Sequence, residues 1–209
     1  MKYIIIGFGA AGEAAARTLR DKDIAAAVTV IAGEKEGFYY RLRLLEYITG
    51  KIDRNALMVS GKFYAAKNIT ILNSTAVEIS SSQVKLADGK LLPFDRLLIA
   101  TGGIPNKLKV PGSDLAGVMT LRTFSDVEAL AAYLPQVRRV VVVGGGILGI
   151  DTAEALRKLG KEVSVLVRGN QLGVPLLTAA EANKRGEAMR RAPHRTCPRP
   201  FRSEQVGMV

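Results

Sequence analysis

From Lys2 to about Gly169, short apolar runs bounded by glycine alternate with Ala/Leu-rich stretches in which apolar positions recur three and four apart. The first kind predicts buried strands and the second predicts helices. Lys2–Ile6 and Val28–Ala32 read as strands flanking a helix of about three turns that ends near Arg20. The same order returns later, where Arg139–Val143 and Val163–Val167 flank a helix ending near Arg157. Between these segments, Thr70–Asn73, Ala76–Ile79 and Val84–Leu86 predict short strands, and Asp88-Gly89 supplies a hairpin-type turn before Lys90–Leu92. Phe94–Pro105 reads as a buried strand ending in a glycine pair, and Ser125-Asp-Val-Glu128 is a capping-box pattern for a helix running to about Leu134, which Pro135 helps to end. After Pro175 the rhythm stops. Thr178–Val209 has scattered Arg and Pro and no sustained period of 2 or 3.6, apart from a helix-compatible stretch at Ala179–Arg191, and reads as a disordered tail.

The two strand–helix–strand segments form a pseudo-repeat, and each turns from strand to helix through Gly-x-Gly-x-x-Gly. In Gly7-Phe-Gly-Ala-Ala-Gly12 and Gly144-Gly-Gly-Ile-Leu-Gly149, the first glycine permits a sharp turn. The second lets a pyrophosphate approach the helix N-terminus with its unpaired amides, and the third lets helix and strand pack closely. This is the opening βαβ of a Rossmann-like domain, written twice. Such a unit binds ribose through an acidic residue at the end of its second strand, about 20 positions beyond the last glycine. Glu34 meets that spacing in the first repeat. In the second the equivalent place is Val167, followed by Arg168, a pattern that admits either the 2′-phosphate of NADP or a solvated strand-end arginine.

Composition narrows the class without changing this outline. With 209 residues, 48% of them hydrophobic, the chain can build one large core or two small ones, which excludes a disordered protein and a disulfide-stapled miniprotein. The single cysteine, Cys197, cannot form an internal disulfide, suits a reducing cytoplasmic compartment and excludes a zinc site of several thiolates. His194 and Cys197 have no second pair to complete a metal site. Apolar runs such as Val140–Val143 and Leu97–Ala100 are far below the roughly 18–20 residues that span a bilayer, and Gly7–Gly12 and Glu13 interrupt the one stretch that could serve as a signal peptide. The net charge of +11 raises the question of nucleic acid. Residues 170–209 hold seven Lys/Arg against three Asp/Glu, with Phe201 as their only aromatic residue, so the tail carries +4 of that charge without the interleaved aromatics of a nucleic-acid surface. No nucleic-acid partner is predicted.

Three motifs in order, Gly7–Gly12 with Glu34, Leu98-Ile-Ala-Thr-Gly102 and Val143–Gly149, resemble the two-dinucleotide-binding-domain flavoproteins of the pyridine nucleotide-disulfide oxidoreductase superfamily over roughly residues 1–173. Phe38-Tyr-Tyr-Arg-Leu-Arg-Leu44 looks like the segment beside FAD in the rubredoxin reductase and nitrite reductase large-subunit branch, with Leu42 where that branch usually has proline. The resemblance implies an α/β fold with a Rossmann-like FAD-binding domain over residues 1–111. An inserted, incomplete second Rossmann-like domain for NAD(P) would follow over 112–173, and then a basic tail without family likeness over 174–209. It implies that Gly7, Gly9, Ala10, Ala11 and Gly12 hold the FAD pyrophosphate, that Glu34 binds the adenosine ribose and that Arg41 lies near the cofactor. Val77 matches a backbone contact to adenine, while Ala100, Thr101 and Gly102 match the second flavin-side motif. Gly144, Gly146 and Gly149 would receive the pyrophosphate of NAD(P)H, and Tyr39 and Tyr40 offer rings that could stack on a cofactor.

Absences narrow the implied chemistry. Disulfide reductases of the superfamily carry a Cys-x-x-x-x-Cys pair after the second strand and its peroxidases and oxidases one cysteine nearby, whereas residues 35–60 here contain none. A thiol mechanism at that flavin face is excluded, since only a thiolate takes the flavin's electrons into a sulfur centre. What remains is hydride transfer from NAD(P)H to FAD and electron delivery to a small acceptor or a protein, either rubredoxin-like or a fused or partner reductase centre. The cofactors carry that chemistry, and no side chain is assigned a catalytic role. The family continues beyond the position of Val167 with segments not visible here. The sequence therefore also admits a truncated, inactive remnant or a dinucleotide-binding module, with 178–209 as an extension of the kind a frameshift leaves.

Overall fold

A computed structural model of the chain describes residues 1–167. In chain order its elements are β1 (Lys2–Ile6), α1 (Ala10–Lys22), β2 (Ala27–Ala32), α2 (Leu44–Ile48), α3 (Arg54–Leu57), α4 (Gly61–Ala66), β3 (Ile69–Asn73), β4 (Ala76–Ile79) and β5 (Gln83–Leu86). They continue with β6 (Leu91–Pro93), β7 (Arg96–Ile99), α5 (Phe124–Tyr133), β8 (Arg139–Val143), α6 (Ile147–Lys158) and β9 (Glu162–Leu166). The chain divides into two compact units, one made of Met1–Arg43 and Asp53–Ile104, the other of Leu44–Ile52 and the residues from Pro105 onward.

In the first unit β3, β2, β1 and β7 lie side by side as a parallel sheet. Because successive side chains of a strand point to opposite faces, the isoleucines of β1 serve two cores at once. Ile5 packs with Ala16 of α1 and with Phe8, Phe38 and Tyr64 on one face. Ile4 and Ile6 pack on the other against Val84 and Leu86 of β5. That second face is covered by an antiparallel meander, β4-β5-β6, so the sheet is sandwiched between a helix layer and a small second sheet. The turn predicted at Asp88-Gly89 closes this meander, with Gly89 at φ +85° and the Leu86 N–H donating to the Lys90 carbonyl. At the far end of α1, the buried Arg20 guanidinium donates to the carbonyls of Asp23, Ile24, Ala26 and Asn68, tying the helix end to the loops around it.

In the second unit β8 and β9 pair in parallel, and α6 covers one face through Ile150, Ala153 and Leu156. α2 belongs to this unit: the Tyr47 hydroxyl donates to Glu128 of α5 at 2.7 Å, and its ring lies 5.3 Å from that of Phe124.

Three expectations change on contact with the structure. α5 begins two residues earlier than the sequence suggests: Thr123 is the cap, and the reciprocal partner is Asp126, which accepts from the Thr123 N–H. Aspartate is short, yet at the third helical position it reaches the same amide that a glutamate would. The two later strands expected to be buried are edge strands among the described residues. In β7 Ile99 is 61% exposed, and in β8 Val141 is 59% and Val143 52% exposed, since no described element covers the face to which these side chains point. The short helices α2, α3 and α4 were not foreseen, because segments of four to six residues carry too few turns for a helical period to show.

Candidate functional site

The first glycine loop leads from β1 into α1. The Gly7 N–H donates to the Ile31 carbonyl at 2.9 Å, and Gly7 sits at φ +107°, which side-chain-bearing residues rarely adopt. A Cβ there would also collide with the Ala100 carbonyl, because β7 runs beside β1 and the Ala100 N–H donates to the Ile6 carbonyl at 2.7 Å. The loop and the turn Ala100-Thr101-Gly102, more than 80 positions apart, thus meet at the carboxyl ends of adjacent strands. A Cβ on Gly12 would strike the Gly7 carbonyl, so the third glycine keeps α1 against the turn. Gly9 is different. It caps α1 without any side-chain bond, and a Cβ on it would meet nothing within 4 Å. The start of α1, where Ala10 and Ala11 are exposed, therefore has no side-chain cap over its amides among the described residues, which fits an anionic pyrophosphate.

The second loop repeats this construction. The Gly144 N–H donates to the Leu166 carbonyl at 2.8 Å, Gly144 has φ +118°, and a Cβ on Gly149 would strike the Gly144 carbonyl. Gly146 caps α6 without a side-chain bond, and among the described residues a Cβ on it would meet nothing within 4 Å. One difference concerns the first glycine: among the described residues, a Cβ on Gly144 would meet nothing within 4 Å.

Glu34 and Arg41, both marked from the sequence, come together. The Arg41 Nη2 donates to Glu34 Oε1 at 2.6 Å, and the Tyr39 hydroxyl donates to Oε2 of the same carboxylate at 2.5 Å. The Arg41 guanidinium lies 4.9 Å above the Tyr39 ring centroid. Tyr39 is buried, and an isolated bridge to Met58 holds its backbone. Tyr40 is turned edge-on to Phe38. Val77 lies in β4 of the meander, at the point where the register with β5 skips from Ala76 to Glu78. The skip leaves Val77 without a residue opposite it in β5, a place where a backbone can serve another partner. Arg168, the tail from 174 and the pair His194 and Cys197 lie outside the described residues.

One cluster escaped the sequence reading. Glu13, in the first turn of α1, is buried, and its Oε1 accepts from Arg17 at 2.8 Å and from the Tyr64 hydroxyl at 3.1 Å. Burial, and then the adjacent carboxylate, push the Tyr64 phenol above its ordinary value near 10, so it stays protonated and donates. The cluster ties α1 to α4 beside the first glycine loop. Its one sequence signal is an acidic residue on the core-facing side of an Ala-rich helix, where position 150 of the second repeat has isoleucine.

Among the described residues no helix is long and apolar enough to cross a membrane, and no group of three His, Cys, Asp or Glu could hold a metal ion.

Similar proteins agree with this geometry. The chain is 32% identical over 177 residues to the biphenyl dioxygenase system ferredoxin--NAD(+) reductase component of Paraburkholderia xenovorans (strain LB400), covering 83% of this chain and 43% of that one. It is 31% identical over 188 residues to the rubredoxin-NAD(+) reductase of Ectopseudomonas oleovorans, covering 88% and 49%. The crystal structure of the ferredoxin reductase for the CYP199A2 system from Rhodopseudomonas palustris superposes with a TM-score of 0.90 at 28% identity, over 94% of this chain and 50% of that one. The chain thus spans about half the length of the relatives it matches. With two uncapped glycine loops at the ends of parallel strands and a match to the family's profile over residues 1–191, the chain belongs to the pyridine nucleotide-disulphide oxidoreductase family.

Proposed function

We propose that the chain is the dinucleotide-handling half of an FAD-dependent NAD(P)H oxidoreductase, with residues 1–111 serving FAD and 112–173 serving NAD(P)H. The observation that carries this reading is the doubled loop: two helices whose N-terminal amides are uncapped and open, each backed by a glycine that admits no Cβ. Gly7, Gly9, Ala10, Ala11 and Gly12 would hold the FAD pyrophosphate, Glu34 the adenosine ribose and Val77 the adenine through its backbone, with Arg41, Ala100, Thr101 and Gly102 beside the cofactor. Gly144, Gly146 and Gly149 would hold the NAD(P)H pyrophosphate, and Arg168 a 2′-phosphate. Bound FAD would supply the two-electron chemistry. The protein positions both dinucleotides and passes the electrons to a cytoplasmic acceptor protein of the ferredoxin or rubredoxin kind, the acceptors that the relatives' names carry.

Purification tests this. A yellow protein, as isolated or after FAD addition, whose flavin absorbance bleaches with NADH or NADPH is the expected result. A strong preference for NADH would remove the role given to Arg168. The second reading, a dinucleotide-binding module that does not turn over, is favoured by the open face of β8, whose Val141 and Val143 lack described cover. Flavin uptake without bleaching would select that reading, and colourless protein without uptake would defeat both.

A further inference from the structure

We propose that Tyr39 and Arg41 are positioning residues that aim the Glu34 carboxylate at the 2′- and 3′-hydroxyls of the adenosine ribose; this rests on the reading of the first loop as the FAD site. Glu34 lies just past the end of β2, with its side chain about one-third exposed. Each of its oxygens already accepts one bond, Oε2 from the Tyr39 hydroxyl and Oε1 from Arg41. A carboxylate oxygen offers two lone pairs, so each retains one. Two free lone pairs on one rigid carboxylate match two adjacent hydroxyl donors. Without the clamps a glutamate samples several side-chain rotamers, and ordering it on binding costs conformational entropy.

The clamp is itself rigid. Tyr39 is buried and bridged to Met58, and the Arg41 guanidinium stacks over its ring. The two donors come from a segment only five and seven residues beyond Glu34, so the chain returns to hold the group it has just presented. Arg41 then acts on the cofactor through Glu34, in addition to whatever it touches directly.

The readout is discrimination between ADP and 2′-deoxy-ADP, measured by calorimetric titration of the full chain. The unmodified protein is expected to favour ADP by about tenfold, the value of one hydrogen bond to a charged group. Tyr39→Phe should bring that ratio close to one while affinity for 2′-deoxy-ADP changes by less than about twofold; Arg41→Gln should also lower the ratio, and Arg41→Lys should restore part of it. Circular dichroism checks that each variant folds. An unchanged ratio in folded variants, or an equal loss for both nucleotides, would overturn the positioning role and leave the site standing. Failure of the unmodified chain to bind ADP or FAD would overturn the site and this role together.

Discussion

The two glycine loops are near-copies in sequence and backbone, yet they sit in different surroundings. Residues of the first repeat correspond to those of the second 137 positions later, so Ile4 matches Val141 and Ile6 matches Val143. Ile4 is 3% exposed and Val141 59%, because a meander covers one strand's outer face and no described element covers the other's. Gly7 is pressed by the Ala100 carbonyl, whereas a Cβ on Gly144 would meet no described residue within 4 Å. Glu13 and its counterpart Ile150 are both buried, one in a polar cluster and the other in an apolar one. The loop is thus a local device that forms wherever a parallel βαβ pair forms. What differs is the clamp from a third strand, which is added by topology.

Four substitutions test that contrast, from the largest expected effect to the smallest. Gly7→Ala combines a collision with backbone and an unfavourable φ, and should cost about 3 kcal/mol or more in denaturant unfolding, whereas Gly144→Ala should cost only the φ strain of about 1–2 kcal/mol. Equal losses would mean that β8 has a neighbour equivalent to β7. Ile4→Ala should cost about 2–5 kcal/mol and Val141→Ala less than about 1 kcal/mol, measured the same way. A large loss at Val141 would show that its face is covered.

Tyr64→Phe removes a donor from the buried Glu13 and should cost about 1–3 kcal/mol. It also has a pH signature. The folded phenol holds its proton above pH 10 while the unfolded one releases it, so its contribution is complete below about pH 10 and is lost as pH rises further, by at most about 1.4 kcal/mol per unit. The Phe variant should lack that slope in melts compared between pH 9 and 11. Thr123→Ala removes a cap from a helix that carries one and should cost about 1 kcal/mol with nucleotide binding unchanged. Its counterpart Gly9→Asp would give α1 a cap and should abolish FAD uptake by placing a carboxylate over the amides.

Much of this was legible in the chain. The loops, Glu34 and the strand–helix order follow from glycine spacing and apolar period, because steric rules for a turn act over a few residues and leave their mark in them. Val77 was marked by family likeness, but the skipped register that strips it of a partner arises from pairing with β5 and has no local signature. Glu34 and Arg41 carry no mark of their pairing in the sequence, and only the turn after β2 joins them. The Glu13–Tyr64 bond spans 51 positions and could not be read from either residue.

The sequence by itself determined the doubled βαβ unit, since its turn geometry and its two kinds of periodicity are written within segments of about 30 residues. Tertiary structure alone decided the rest. Four of the strand-like runs read between the repeats look alike in pattern, yet Ile69–Asn73 joins the parallel sheet and the next three form the meander that buries Ile4 and Ile6. Burial depends on what packs against a residue, and that partner lies far away along the chain. The same local pattern therefore yields a loop clamped by a third strand in one unit and, among the described residues, an unclamped one in the other.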